Sequence, residues 1–196
     1  MHARRLITAA LLPVLRRVFP EAQPCDLLFF GGAYDVCSPL PAKYGLDIGA
    51  DTVYNILTGV SVGGSPLLES LESRGGFLNM TLSPAAVELL AASAAGRGAG
   101  MPERFELGAN ADCIKAGLLH AARLAPDAGY VPGDEGARRA LLLTLFADTQ
   151  HSRSIALKAC ETTLDNNRRR PILGAGAALA CACAIDAWAS ENTETR

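Results

Sequence analysis

Hydrophobic residues recur at two different spacings along this chain, and each spacing predicts a different kind of element. In residues 3–19 apolar side chains recur every three or four positions, which is typical of an amphipathic helix. In residues 77–82, Phe-Leu-Asn-Met-Thr-Leu, the side chains alternate instead, which predicts a half-buried strand. Ser83-Pro84 then supplies a cap and a first-turn proline, so a helix is expected from there to about residue 95.

Weaker signals complete the first half of the chain. Gly31-Gly32 lies between two short apolar runs and predicts a turn, and Gly75-Gly76 predicts the end of a helix. The remaining predicted elements of this half are strands at 26–30 and 33–37, a loop at 39–41, and helices at 48–58 and 65–73.

The second half of the chain has only helical periodicity. It is separated from the first half by residues 96–108, which carry four glycines and a proline and are predicted to be a linker. The helices predicted beyond it cover residues 110–125, 135–147, 151–165 and 173–189. The sequence therefore predicts an α+β fold: a small N-terminal α/β domain with short strands over residues 1–95, and a C-terminal α-helical bundle over residues 109–196.

Composition supports a folded protein and limits how it can bind nucleic acid. Apolar residues make up 49% of the chain and charged residues 19%, which is enough to form a core and too few charges for a disordered chain. The formal net charge is -2. A general electrostatic attraction to nucleic acid is thus excluded, and any RNA contact has to come from a local basic patch.

Cysteine usage and the apolar runs indicate the compartment. None of the six cysteines forms a Cys-x-x-Cys pair and the three histidines are scattered, so no metal site is predicted and buried, reduced thiols are expected. The apolar run at residues 6–15 is followed at once by two arginines and has no evident cleavage site, which argues against a signal peptide. Residues 171–185 are too short and too weakly apolar to span a bilayer. We expect a cytoplasmic protein that does not bind membranes.

Motifs for common catalytic chemistry are missing from the sequence. It contains neither a phosphate-binding loop nor a Gly-x-Ser-x-Gly elbow, and Gly174-x-Gly176 does not follow a strand. Cys113 and His120 are seven residues apart, which is about 10 Å along a helix and too far for proton transfer between them. We therefore predict no catalytic residues, no cofactor and no enzyme activity.

The N-terminal half carries two motifs of a known family. Residues 75–84, Gly-Gly-Phe-Leu-Asn-Met-Thr-Leu-Ser-Pro, follow a helix and a loop that contains Tyr44-Gly45-Leu46-Asp47. This order resembles the N-terminal additional domain of arginyl-tRNA synthetases, with its His-Gly-Asp-Tyr-like loop and its Gly-Phe-Ile-Asn-x-x-Leu-Ser strand. In the loop, Leu46 separates the glycine from the aspartate, which is a departure from the family pattern.

Short motifs in the C-terminal half resemble the helical anticodon-binding domain of the same family. Ala121-Ala122-Arg123 is similar to the Ala-x-Ala-Arg pattern of its first helix, and residues 138–145 are similar to its Arg-Ala-Leu-Leu-Leu-x-Leu helix. Arg170-Pro171-Ile172-Leu173 stands where the family has a Cys-Pro-Val-Leu-like turn. The catalytic domain, with its His-Ile-Gly-His and Lys-Met-Ser-Lys-Ser motifs, is missing between the two modules, and so is the Met-rich tail. The resemblance therefore implies RNA contact without aminoacylation.

Six residues are predicted to contact RNA. Phe77 and Asn79 share the face of the strand opposite to the apolar one, where an aromatic ring and an amide suit an unpaired base. Arg168, Arg169 and Arg170 form the strongest basic cluster, and Arg123 is added because of the resemblance. Two alternatives stay open: Phe77 is covered by a neighbouring element while Asn79 caps or is solvated, and the arginines lie in a solvated loop.

The sequence predicts a non-catalytic protein that binds tRNA or a tRNA-like RNA. The alternative is a protein-interaction or assembly module that has lost RNA binding and associates with the full-length synthetase or with itself. An exposed face around Phe77 favours the first function, and a large exposed apolar patch favours the second.

Overall fold

The computed structural model describes residues 2–30, 33–95, 109–125, 134–170 and 172–193. The chain divides into two compact units, Met1–Leu89 (unit 1) and Leu90–Arg196 (unit 2). Short strands in a small antiparallel sheet come first and helices follow, so the predicted α+β class is confirmed. The division falls inside a helix, six residues before the predicted end of the first domain. The predicted linker at 96–108 lies outside the described residues.

Unit 1 is built from short helices around one four-stranded sheet. Its elements are α1 (His2–Leu15), a 3-10 turn (Pro24–Asp26), β1 (Leu28–Phe29), β2 (Val36–Ser38), α2 (Leu40–Tyr44), α3 (Ala50–Gly59), β3 (Ser61–Val62), β4 (Ser65–Pro66), β5 (Leu68–Arg74), β6 (Phe77–Leu82) and the start of α4 (Pro84–Ala95). The sheet is antiparallel with the order β1-β2-β6-β5, and β3 and β4 form a separate two-stranded ribbon.

The predicted strand at 77–82 is confirmed as β6, which pairs with both β2 and β5. Leu78, Met80 and Leu82 are fully buried, as their alternation predicted. Each contributes about 1.5–3 kcal/mol by removing an apolar side chain from water. The helix after it is confirmed as α4, since the Ser83 hydroxyl accepts a hydrogen bond from the Ala86 N–H at 3.1 Å and caps the first turn.

Two glycines join β5 to β6 in a tight hairpin. Arg74 pairs with Phe77 across the turn, and the two residues between them, Gly75 and Gly76, have φ of 61° and 79°. Two consecutive residues with positive φ match the twist of a two-residue hairpin and are adopted at little cost only by glycine and a few polar residues. The Gly75-Gly76 break was predicted, but it ends a strand and not a helix.

The helix predicted at 65–73 is wrong, because the segment forms β4 and β5. Leu68 pairs with Leu82, whereas Ser70 pairs with the next residue of β6, Thr81. This β-bulge adds one residue to β5 and brings Leu68 and Leu71, three positions apart, to the same buried face. A bulged strand therefore reproduced the three-residue spacing that is typical of a helix.

Two other segments of unit 1 differ from prediction. Residues 39–41 were expected to be a loop but begin α2, because a proline is compatible with the first turn of a helix. The Ala42 N–H, which is left without a partner inside that first turn, donates to the Gly76 carbonyl at 3.0 Å. The predicted strands at 26–30 and 33–37 pair as β1 and β2, but β1 is only two residues long and Asp26 belongs to the 3-10 turn. The Gly31-Gly32 turn lies outside the described residues.

Unit 2 contains the rest of α4 and four longer helices. These are α5 (Ala109–Leu124), α6 (Glu135–Phe146), α7 (Gln150–Asn167) and α8 (Ala175–Thr193), and they confirm the four predicted helices. Asp134 caps α6 by accepting from the N–H groups of Gly136 and Ala137, and Thr149 caps α7 together with Ser152. α5 packs on α7 and α8, and α6 packs on α7 and α8.

Of the helices within the described residues, none combines the length and the apolar character needed to cross a bilayer.

Candidate functional site

The predicted RNA-contacting residues of unit 1 lie on the side of the sheet that faces away from its core. The register sets Asn79 of β6 between Cys37 of β2 and Glu72 of β5, and Cys37 pairs on its other side with Leu28 of β1. Since successive strand residues point to opposite faces, these side chains share one face. We call this surface the outer sheet face; it contains Leu28, Cys37, Ser70, Glu72, Arg74, Phe77, Asn79 and Thr81.

The Phe77 ring is accessible on the outer sheet face. The residue is 38% exposed, which is high for a phenylalanine in a central strand. Directly opposite on β5 lies Arg74, which is exposed. An aromatic ring and a cation are therefore cross-strand neighbours at the hairpin end of this face. Within the part of the chain that the structure describes, Phe77 is therefore not fully covered by another element.

The Asn79 amide is the central polar group of the outer sheet face. The side chain is half-buried, and within the part of the chain that the structure describes it has no hydrogen-bond partner. An amide has two donors and an acceptor with two lone pairs. Asn79 lies two residues after Phe77 on the same face, so its amide can hydrogen-bond to a ligand that stacks on the Phe77 ring.

A tyrosine that sequence reasoning missed also reaches this face. The Tyr34 hydroxyl, from the segment before β2, donates to Glu72 Oε2 at 2.6 Å and thus bridges across β6 to β5. This hydrogen bond, with smaller effects of burial and of the nearby carboxylate charge, raises the pKa of Tyr34. Burial and the neighbouring Asp35 raise the pKa of the Cys37 thiol, so it remains protonated at neutral pH. The hydrogen bond between Tyr34 and Glu72 joins residues 38 positions apart, and no local pattern could have indicated it.

The predicted arginines of unit 2 follow α7 and differ in their surroundings. Arg168 Nη1 lies 3.5 Å from Asp165 Oδ1, and both side chains are largely exposed, so the pair is weak. Arg170 Nη2 donates to Asp134 Oδ2 at 3.0 Å, and this aspartate also caps α6. Arg169 is exposed and its guanidinium has no partner among the described residues. Arg168 and Arg169 are therefore the cluster members that are most available to a phosphate.

Arg123, predicted through the resemblance, is exposed in the last turn of α5. It precedes Leu124, a residue that lines a groove between α5 and α7. The six predicted contact residues thus fall into two groups, Phe77 with Asn79 in unit 1 and the four arginines in unit 2. Each group is a separate candidate surface.

The groove between α5 and α7, which we call the α5/α7 groove, has a volume of about 480 Å³. Gly117 of α5 leaves room for a side chain of α7: a Cβ atom at this position would lie 2.9 Å from Leu164 Cδ1, so the end of the Leu164 side chain would have to shift. Sequence reasoning missed the groove because it depends on which two helices pack together. The residues that line it are Cys113, Ile114, Gly117, His120, Ala121, Leu124, Glu161, Leu164, Asp165, Asn167 and Arg168.

Metal ligation is not indicated by the side chains that the structure places together. Among the described residues, no group of three or more His, Cys, Asp or Glu is arranged to hold a metal ion. All six cysteines are free thiols; Cys160 and Cys181 are buried as expected, whereas Cys25 and Cys113 are exposed. The accessible groups of both surfaces are instead suited to stacking, hydrogen bonding and ion pairing.

Comparisons with known proteins do not assign a function, so the functional assignment rests on these two surfaces. No protein-family model matches the chain, and searches of curated proteins and of solved structures give no significant match.

Proposed function

We propose that this protein binds tRNA or another structured RNA and does not catalyse a reaction on it. The observation that carries the proposal is the combination of an exposed Phe77, an Asn79 amide on the same face that has no partner among the described residues, and Arg74 opposite Phe77. Unpaired RNA bases are recognised by stacking on aromatic rings and by hydrogen bonds to their edges, and the adjacent phosphate needs a cation. These are the three groups found here.

The resemblance of residues 75–84 to a strand of arginyl-tRNA synthetases supports the same function. In that family the strand belongs to the part that meets the D-loop of tRNA, and Phe77 and Asn79 stand at its matching positions. The net charge of -2 limits the number of phosphate contacts, so affinity has to rest on stacking as well as on charge. Arg168 and Arg169 of unit 2 are proposed as additional phosphate contacts.

A second candidate function is a protein-interaction module, which binds a full-length synthetase or a second copy of this chain. Two exposed apolar side chains of the segment around β1 favour it: Leu28 is 37% exposed and Phe30 is 51% exposed. Apolar groups at the surface are typical of protein interfaces when they are grouped. In unit 1 these residues accompany the polar Asn79 and the cationic Arg74, which suit RNA better than an apolar partner.

The test is a titration of the purified protein with unmodified tRNA at several salt concentrations. Three to four phosphate contacts predict a slope of log affinity against log salt on the order of -2 to -4. F77A should weaken binding by roughly 1–3 kcal/mol, because one stacked base is lost, and should leave the slope unchanged. R168A/R169A should instead reduce the magnitude of the slope by about 1–2.

Matched controls come from exposed residues outside these surfaces. Y54A removes a 64% exposed aromatic side chain of α3, and R17A/R139A removes two exposed cations. Neither should change the affinity for tRNA by more than about twofold. If the wild-type protein binds tRNA no better than an unrelated acidic protein, RNA binding is excluded. Sedimentation of the protein alone and with the synthetase would then test the protein-interaction module.

A further inference from the structure

We propose that the α5/α7 groove binds one unpaired nucleobase that carries an exocyclic amine, with Arg168 on the neighbouring phosphate. The inference rests on the proposed function, since it assigns RNA contact to a second, defined surface in unit 2. It also makes a claim of its own: the groove discriminates between bases by their hydrogen-bond donors.

Apolar side chains form the part of the groove on which a flat ring can lie. Leu124 is 69% exposed, the highest value among the large apolar side chains of the described residues, and Leu164 on the facing helix is half-buried. Ile114 and Ala121 form the floor beneath them and are almost fully buried. Covering Leu124 removes apolar surface from water, so a ligand with an apolar face is favoured over a fully polar one.

Two carboxylates lie among the polar groups that line the groove. Glu161 and Asp165 are four residues apart on α7, so their carboxylates lie one turn apart on the same side of that helix. Each has a cation nearby, Lys158 Nζ at 2.9 Å from Glu161 Oε2 and Arg168 at 3.5 Å from Asp165. A carboxylate has about four lone-pair sites. Both residues therefore keep acceptor capacity for a ligand.

Paired carboxylate acceptors select bases by their hydrogen-bond donors. Guanine, adenine and cytosine carry an exocyclic amine, and carboxylates accept hydrogen bonds from such amines. Uracil has two carbonyl oxygens and no exocyclic amine, and the partial negative charge of these oxygens would be repelled by the carboxylates. The groove should therefore favour amine-bearing bases, with guanine first because its ring N–H and amine lie side by side.

The charge of Arg168 completes the site and is linked to base binding. Arg168 lines the groove, and within the described residues its guanidinium pairs only with Asp165, three residues earlier, in an exposed ion pair. Such a pair is easily exchanged for a phosphate, to which arginine binds more strongly. Moving Arg168 to the phosphate frees Asp165 to accept from the base. The groove volume of about 480 Å³ lies within the usual range for small-ligand sites and suits one nucleotide.

The experiment is a titration of the full chain with GMP, AMP, CMP and UMP, followed by NMR chemical shifts and by calorimetry. We expect GMP to bind best and UMP to bind at least about tenfold more weakly, because its donors are fewer. E161Q/D165N should weaken GMP binding by on the order of tenfold and reduce the preference over UMP. E69Q/E135Q, which changes two exposed carboxylates outside the groove, is the matched control and should bind GMP like the wild type.

Equal affinity for GMP and UMP, no GMP binding, or GMP affinity unchanged in E161Q/D165N would each overturn the groove as a base site. Titrations with tRNA separate this result from the proposed function. If F77A weakens tRNA binding while E161Q/D165N affects neither tRNA nor GMP, the protein binds RNA but not through the groove. If GMP binds in the groove and tRNA does not bind at all, the groove takes free nucleotides and the proposed function is wrong.

Discussion

Asp26 shows how one ionised side chain is accommodated inside unit 1. The residue is only 7% exposed, yet its carboxylate accepts two short hydrogen bonds from Lys43 Nζ and one from the Gln23 N–H at 2.8 Å. Burial by itself raises the pKa of this carboxyl group. The hydrogen bonds from Gln23 and Lys43 outweigh burial and hold the pKa below its ordinary value of 3.8. Folding therefore favours the ionised form.

This shift gives a defined pH dependence of stability. The folded pKa lies below that of the unfolded chain, so the stabilisation is present above the unfolded pKa of about 3.9 and is lost as the pH falls through the folded pKa. D26N should cost about 1–3 kcal/mol at neutral pH. The difference in Tm between wild type and D26N should shrink steadily as the pH is lowered below about 4. D47N, at an exposed position, is the control and should match the wild type; a pH-independent difference for D26N would contradict the assignment.

At the scale of elements, the hairpin between β5 and β6 holds the surface on which Phe77 lies. Gly75 and Gly76 have nearly the same positive φ, but they differ in their surroundings. A Cβ atom on Gly75 would meet nothing within 4 Å, whereas one on Gly76 would lie 2.8 Å from Ala42 Cβ of α2. The turn is therefore coupled to α2 through one of its two residues only.

Alanine substitutions at the two positions should differ for this reason. G75A should lower the free energy of unfolding by about 1–2 kcal/mol, the cost of a Cβ atom in the left-handed region. G76A should cost about 1–3 kcal/mol more, because α2 has to move away. Urea unfolding of both variants measures the difference. Equal losses would mean that α2 shifts at no measurable cost in free energy. As a control, G75N should restore most of the loss seen in G75A, because asparagine tolerates a positive φ.

At the scale of the whole molecule, the chain divides into two compact units, and limited proteolysis can show which segment of it is most accessible. The division falls between Leu89 and Leu90, within α4. The glycine-rich residues 96–108 remain the predicted linker. Limited proteolysis with trypsin should cut first at Arg97 or Arg104, since exposed segments with small residues are cleaved most readily. Protection of both arginines in the native protein would show that the segment is packed.

Absence of aminoacylation is a prediction for the whole molecule as well. It follows from the missing His-Ile-Gly-His and Lys-Met-Ser-Lys-Ser motifs, which would have to lie between the two modules. The purified protein should therefore show no arginine-dependent exchange between ATP and pyrophosphate. A full-length arginyl-tRNA synthetase assayed in parallel is the positive control, and detectable exchange by this chain would refute the prediction.

The sequence by itself determined the elements whose signals are local. The alternation of residues 77–82 identified the buried face of β6 and placed Phe77 and Asn79 together on the opposite face, because side-chain direction in a strand depends only on position. Ser83-Pro84 marked the start of α4 in the same way, since a cap is formed by residues three positions apart. The helices of unit 2 followed from periodicity.

Only the tertiary structure decided the features that depend on pairing. The bulge of β5 arises from its register with β6, and without that partner the spacing of Leu68 and Leu71 indicated a helix. Arg74 and Phe77 are neighbours because a hairpin joins them, and Tyr34 meets Glu72 across the intervening strand. The α5/α7 groove forms where two helices pack together, and Gly117 lies close to Leu164 of the other helix. Contacts between residues far apart in the chain depend on packing, so the sequence indicated Phe77 and Asn79, and only the fold showed that Tyr34 and Arg74 lie beside them.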